Sequence, residues 1–486
     1  MAFQQIPLFP EYPGFGPGQH RASPPAAAEA GFAEDADVAP PARDAGGAET
    51  SSGNAREAAG PRLDGLRAVM INWRDPWQAA AGGAEEYAWR ISRHLAARGA
   101  VVAFLTSREP GQARVETREG IVIRRMGGKF TVYPLVMLWL LLWRREFHAA
   151  LDCMNGIPFF SRLVLPRRTR VISVVHHVHD LQFDAYFSRP LAWFGRFVES
   201  AVAGRVYRNC PTVTVSDSSR RAMREKLRWR APITVVHNGS PPRQPVAPDR
   251  FLSEAETGSP AIVSLGRLVV QKRVSRIVDI ARDLRGSYPQ LRVHVVGRGP
   301  ESATLAEQVE RDGLYDHVRL HGYLPEEQKN AVLAGSLLHV TASEFEGWGL
   351  TVIEAAGLGV PTVAYDVDGL RDSVRHGETG WLVREGEELS DVVAAALREL
   401  SDPVRAARIR RACREWAARF TWEGSGAAMA RLITGEPDGT PATGRDGLRP
   451  PPPAAAAPAR RNRLRADTAA SRPGTGPPTR SAKAVR

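Results

Sequence analysis

Between about residue 66 and residue 433 the apolar positions follow two alternating rhythms. Short Val- and Ile-rich runs at 67–71, 101–106, 171–175, 212–215 and 234–236 have the length and composition of strands, while 87–98, closed by Gly99, carries its apolar residues at helical spacing. Strands that alternate with helices predict βαβ units and parallel sheets. The pattern starts afresh at 261–265, beyond a stretch, 241–260, that is poor in apolar residues and holds Pro241, Pro242, Pro245 and Pro248. The expectation is an α/β chain of two Rossmann-like domains, 66–245 and 246–403, facing across a cleft, with helices at 404–418 and 424–433 after them. A ligand would lie in that cleft, outside the carboxyl ends of both sheets.

Neither end of the chain shares the rhythm. Residues 1–65 are rich in Ala, Gly, Pro and acids, and 436–486 in Pro, Ala and Arg. With no apolar period they bury too little to offset chain entropy, so both read as disordered tails. Net charge is −5 on the first tail and +6 on the second, which leaves +11 of the formal +12 on the middle. A basic middle predicts an anionic partner. At 486 residues, 43% of them hydrophobic, the chain is too long for one core and long enough for two. Cys153, Cys210 and Cys413 are odd in number, far apart and without metal-ligand spacing, which fits a reduced cytoplasmic protein better than a disulfide framework. No signal-peptide pattern opens the chain and no run of about 18 apolar residues occurs, so neither export nor membrane crossing is expected. The longest apolar run, 130–143, contains Pro134 and suits a helix. A helix hydrophobic all round belongs in the interior; the other reading is a helix lying on a bilayer surface.

Most of the candidate chemistry lies in Ser343-Glu-Phe-Glu346-Gly-Trp-Gly-Leu-Thr-Val-Ile-Glu354. Gly347 and Gly349 allow positive φ and leave backbone amides uncovered ahead of a helix-forming run, and a loop feeding a helix N-terminus is an anion site. Two carboxylates flanking such a loop would repel phosphate themselves. They suit hydrogen-bond acceptance from hydroxyls, as on sugar and ribose rings. The plainer alternative is a surface turn with solvated glutamates.

This segment resembles the Glu, seven residues, Glu signature of the family-4 retaining glycosyltransferases, enzymes of the two-domain GT-B fold. The likeness continues through Gly359-Val-Pro361 to Gly377-Glu-Thr-Gly380 and covers about 66 to 433. It implies that Glu346 approaches the donor sugar's hydroxyls, that Glu354 holds the ribose, and that Gly347, Trp348, Gly349 and Leu350 form the donor loop. It also implies that helices in 404–435 cross back onto the first domain.

Ser264-Leu-Gly266-Arg267-Leu-Val-Val-Gln-Lys272 ends a strand with a glycine and presents two cations five residues apart, as a diphosphate clamp needs. Alone it describes a solvated loop equally well; the resemblance gives Arg267 and Lys272 the donor pyrophosphate. Arg273 stands where the family usually has glycine. Asn72-Trp73-Arg74-Asp75 and then Gly82-Gly83-Ala84-Glu85 put a glycine-rich loop between first strand and first helix. By resemblance Gly82 and Gly83 touch the leaving phosphate. His176, His177 and His179 follow an apolar strand; in an extended segment they point to opposite faces, which argues against a metal site. The resemblance assigns one of them, His176 first, to the donor sugar or acceptor. His237-Asn238-Gly239 resembles the strand end before the interdomain linker and reads as structural. Gly297 and Tyr323, in loops after later strands, resemble positions near the nucleotide base. Ala342 replaces a common proline, and Asp368-Gly369-Leu370-Arg371-Asp372 stands where Gly-Gly-x-Pro-Glu is usual.

These readings combine into a retaining glycosyltransferase that moves a hexose from a UDP- or GDP-linked donor to an acceptor hydroxyl on a glycan, a glycolipid or a small molecule. The resemblance implies a front-face reaction without metal or other cofactor. A glycoside hydrolase is the second enzyme class, although hydrolases have no use for a cationic diphosphate clamp. A basic membrane or nucleic-acid binder is the non-enzymatic alternative. Aromatics interleaved with cations on strands are missing, so no nucleic-acid partner is expected. An anionic inner-membrane surface remains compatible with an enzyme.

Overall fold

The structure, a computed structural model, describes residues 60–178, 189–241 and 259–436. His179, Pro242, Pro245, Pro248 and nearly all of both tails lie outside the described residues. The first sheet holds β1 (Arg67–Ile71), β2 (Val101–Thr106), β3 (Val115–Arg118), β4 (Ile121–Arg125), β5 (Ala149–Met154), β6 (Arg170–Val175), β7 (Thr212–Thr214) and β8 (Ile233–Val235), in the order β3-β4-β2-β1-β5-β6-β7-β8. The second holds β9 (Ala261–Leu265), β10 (Arg292–Val296), β11 (Val318–Gly322), β12 (Leu338–Thr341), β13 (Thr362–Tyr365) and β14 (Gly380–Val383), in the order β11-β10-β9-β12-β13-β14. Neighbouring strands pair in parallel, except that β3 and β4 form an antiparallel pair.

This strand order places the site. In the first sheet the chain runs outward from β1 and then returns to β5 on its other side; in the second it does the same from β9 to β12. The loops leaving β1 and β5, and those leaving β9 and β12, therefore diverge at the carboxyl edge and open a crevice in each sheet.

Helices cover both faces of the sheets, which is why β1, β5 and β9 are nearly continuous apolar runs. Helix α1 (Gly83–Ala97) lays Tyr87, Ile91 and Leu95 on the first sheet. On its opposite face α2 (Val132–Leu142) contributes Val132, Val136 and Leu140 beside Phe147, Tyr207 and Trp229. The short α3 (Ser161–Val164) packs against α2. Helix α4 (Asp217–Glu225) starts at Ser216, whose hydroxyl accepts from the Ser219 amide at 3.1 Å. In the second half α5 (Leu350–Gly357) follows the glutamate loop. Helices α6 (Pro403–Ala417) and α7 (Trp422–Thr434) are the last among the described residues, their N-termini capped by Asp402 and Thr421.

Four expectations need correction. The run 130–143 is not interior: Leu135, Leu138 and Leu142 are 41%, 54% and 71% exposed, because only every third or fourth residue of α2 reaches the sheet. Residues 60–65 are not tail, since Leu63 is buried and its amide donates to the Arg98 carbonyl at 2.8 Å. Segment 404–435 does not pack back as one unit. Helix α6 stays with the second half, burying Ile409 and Cys413 and packing on α5, and only α7 crosses to α1. At that crossing Gly426 leaves room for His94, since a Cβ there would lie 2.1 Å from the imidazole. Finally, β3, β4 and β5 were not anticipated; Asp152 interrupts the apolar run of β5, and inside the fold its carboxylate accepts from the Phe159 and Ser161 amides and the Tyr207 hydroxyl.

Candidate active site

The first wall of the site grows from the ends of β1 and β5. Asn72 donates to the Arg74 carbonyl at 3.1 Å and accepts from Asn155 at 2.8 Å, so one buried amide ties the two loops together. Asp75 is buried, pairs with the buried Arg125 guanidinium at 2.5 Å and accepts from the Trp77 amide, which fixes the loop's path. Gly82 begins α1. Glu85, three residues on, accepts from the Gly82 amide at 2.8 Å and pairs with Arg74 at 3.3 Å. His176, past the end of β6, is 5% exposed and meets Tyr87 edge to face at 5.1 Å. Burial pushes the Tyr87 phenol far up.

The second wall grows from β9 and β12. Arg267 reaches across the cleft to donate to the Ala80 carbonyl at 3.1 Å, and its guanidinium lies over Gly82, where a Cβ would be 3.5 Å from Nε. Lys272 closes a short helical turn and its ammonium pairs with the Glu346 carboxylate. Arg273 follows at φ +46°, the left-handed conformation that explains the family's glycine. Its guanidinium donates to the Ala342 carbonyl at 2.8 Å. Gly349, at φ +93°, turns the chain into α5.

The halves meet almost backbone to backbone at the glutamate loop. A Cβ on Gly347 would lie 2.5 Å from the His176 carbonyl; within the second half, one on Gly369 would lie 2.3 Å from the Glu346 carbonyl. Beside this point Asp372 accepts from the Ser218 amide in the first turn of α4 at 2.6 Å, with Arg221 at 3.7 Å. An acid at a helix N-terminus is favourable, so this departure from the family pattern joins the two halves.

The cleft between the walls has a volume of about 510 Å³. Of the residues proposed from sequence, Gly82, Gly83, His176, Arg267, Lys272, Glu346, Gly347, Trp348, Gly349 and Leu350 line it, and His177 joins them. Gly297, Tyr323 and Glu354 do not. Gly297 is instead a packing glycine, with its Cβ position 1.8 Å from the Gly266 carbonyl, and Tyr323 is largely exposed under the Arg298 guanidinium. Glu354 lies one turn along α5 from Leu350, its carboxylate 3.4 Å from Lys329. Trp348 is 3% exposed and packs at a tilt on His237, ring centroids 4.4 Å apart, so it supports the loop from behind; burial lowers the His237 pKa. Sequence reasoning missed Lys129, Phe130, Tyr133 and Asn155, which line the first wall, and it read Asn238, which also lines it, as structural. Tyr133 was hidden inside the apolar run, and nothing local marks Asn155.

Two family models match the chain: "Glycosyltransferase Family 4" over residues 81–243 and "Glycosyl transferases group 1" over residues 247–416. A glycogen synthase of Mycobacterium tuberculosis is 25% identical over 399 residues, 76% of this chain and 94% of that protein. A GDP-mannose-dependent alpha-(1-6)-phosphatidylinositol monomannoside mannosyltransferase of Mycolicibacterium smegmatis is 31% identical over 184 residues, which span 36% of this chain and 48% of that protein. Among solved structures, sucrose-phosphate synthase of Thermosynechococcus elongatus superposes with a TM-score of 0.62 at 21% identity, over 76% of this chain and 98% of that one. With two parallel-sheet domains and a family match on each, the chain belongs to the group 1 glycosyltransferases of family-4 type and is a GT-B glycosyltransferase.

Proposed function

We propose that this glycosyltransferase moves a hexose from a nucleoside diphosphate sugar to an acceptor hydroxyl with retention, by a front-face reaction that uses no metal. One observation carries the reading. Arg267, Lys272 and Glu346 from one half face the Gly82–Gly83 start of α1 and His176 from the other, across a single cleft. Two cations, a helix N-terminus and uncovered loop amides suit a diphosphate that gains charge as it departs. In this reading the bond from the anomeric carbon to the phosphate oxygen breaks. The bond to the acceptor oxygen forms on the same face, and the acceptor's proton passes to the departing diphosphate. Glu346 orients the donor sugar, Glu354 accepts from the ribose hydroxyls, and His176 stands beside the reacting carbon. The Lys272–Glu346 pair holds a cation and a carboxylate side by side, which suits a point where pyrophosphate and sugar adjoin.

The mannosyltransferase relative, GDP-mannose-dependent by name, supports a nucleotide-linked donor; in this reading the donor is UDP- or GDP-linked. The acceptor hydroxyl belongs to a glycan, a glycolipid or a small molecule, at or near an anionic membrane surface. Membership in a transferase family sets aside the hydrolase and non-enzymatic alternatives. The test is consumption of labelled nucleotide sugars by the purified chain with and without excess chelator. Turnover that survives chelator supports the reading; abolition by chelator with rescue by magnesium or manganese overturns the metal-free reaction.

A further inference from the structure

Helix α2 turns an apolar face to solvent. Val132, Val136 and Leu140 are buried, and the side opposite them carries Leu135, Leu138, Leu141 and Leu142, 41% to 71% exposed, where a soluble helix would carry polar residues. Phe130 before the helix, 68% exposed, and Trp143 after it, 38% exposed, extend the stripe, and Leu163 of α3 adds a further 65% exposed side chain beside it. A contiguous exposed apolar surface of this kind marks an interaction site.

Charge identifies the occupant. Lys129 stands at one end of the stripe, and Arg144 and Arg145 at the other, all exposed. Exposed Arg167 and Arg168 join the latter pair, with the Arg168 guanidinium donating to the Arg145 carbonyl at 3.2 Å. The acids between residues 120 and 169 are Glu146, paired with Arg67 at 2.7 Å, and the buried Asp152. An apolar face with cations at its ends and no free carboxylate matches an anionic lipid surface. A second copy fits poorly: in an antiparallel two-fold contact Lys129 would meet Arg144 and Arg145 of its mate. At eleven residues α2 is about 16 Å long, far short of the roughly 30 Å of a bilayer's hydrocarbon, so it would lie flat.

We propose that the outer face of α2 docks on an anionic lipid bilayer. Phe130 and Lys129 belong both to this face and to the cleft wall, and Tyr133 of α2 lines the cleft as well. Docking therefore sets the cleft mouth at the membrane, where an acceptor hydroxyl on an amphiphile's headgroup can enter. That consequence rests on the transferase reading; the docking itself does not.

The experiment is co-sedimentation of the full chain with vesicles of phosphatidylcholine alone and of phosphatidylcholine mixed with phosphatidylglycerol. The wild type should bind the mixed vesicles and lose them as salt rises. Leu138→Glu/Leu142→Glu, on positions away from the cleft, should weaken partitioning at least about tenfold while nucleotide-sugar turnover in solution is kept. Arg144→Gln/Arg145→Gln leaves the apolar face intact, should weaken binding several-fold with the mixed vesicles only, and serves as the independent check should the leucine variant misfold. The proposal is overturned if the wild type ignores both vesicles. It is overturned equally if the leucine variant binds as well as wild type, which would move the contact to the arginine-rich C-terminal segment. Conversion of a wild-type dimer into a monomer by the leucine variant would assign the face to a second copy instead. Loss of transfer with vesicle binding intact would count against the transferase reading and leave docking standing.

Discussion

Gly347 has no room for a side chain, because the His176 carbonyl of the opposite half occupies the place a Cβ would take. In Gly347→Ala the two halves must separate by several tenths of an ångström beside Glu346. Misplacement of that order in a transferase cleft lowers turnover by about tenfold to a hundredfold. Turnover at saturating donor, alongside a melting curve that shows the fold intact, measures it, and an unchanged kcat would remove the close approach from the account. Glu354→Ala asks a different question. If the carboxylate accepts from two ribose hydroxyls, its loss should weaken donor binding by at least about tenfold, since charge-assisted hydrogen bonds contribute roughly 1.5 to 3 kcal/mol. Calorimetric titration with donor reads this directly, and equal affinity would leave Glu354 as no more than a partner of Lys329. Residues of this kind were legible in the sequence where chemistry and spacing coincide, as with Glu346, Arg267 and Lys272. Asn155 and Tyr133 were not, because only the adjacency of β1 and β5 brings their loops to the cleft.

At the scale of elements, short strands dominated by Val and Ile were readable to within a residue or two. Such runs, buried on both faces, have few other structures open to them. The antiparallel pair β3–β4 was not, since β3 alternates at the sheet's edge and the pair includes four charged side chains. Helix α2 misled for the opposite reason: composition alone cannot say which side of an all-apolar helix meets the sheet. Strand β12 supports a stability prediction. His339, inside the second core and 3.1 Å from the Thr362 hydroxyl, has its pKa driven down to about 3 by burial, with the Lys272 charge adding to the effect. The unfolded chain would take up a proton near pH 6.5 that the folded chain refuses until about pH 3. Stability is therefore complete above pH 6.5 and falls as pH drops toward 3, by at most about 1.4 kcal/mol per pH unit from this residue. Urea midpoints at pH 7 and pH 5 should show the loss, and His339→Gln should flatten it. Equal slopes in both proteins would remove His339 as the cause.

For the molecule as a whole, what matters is how its halves are held across the cleft. Besides α7 crossing to α1, the carboxylate of Asp372 sits in the first turn of α4. An acid there contributes up to about 2 kcal/mol. Asp372→Ala should open the cleft, visible as a larger radius of gyration in small-angle scattering and as a lower kcat. An unchanged scattering curve would mean that α7 alone sets the opening. The central claim is that the cleft binds a nucleoside diphosphate sugar through cations and transfers its sugar. Its most direct test is release of nucleoside diphosphate from a panel of UDP- and GDP-sugars, wild type against Lys272→Ala. The account predicts that at least one donor is consumed by the wild type and that the variant is slower by about a hundredfold or more, the scale on which loss of one preorganised charge-stabilising group is felt. No turnover of any nucleotide sugar, or equal turnover by the variant, would contradict it.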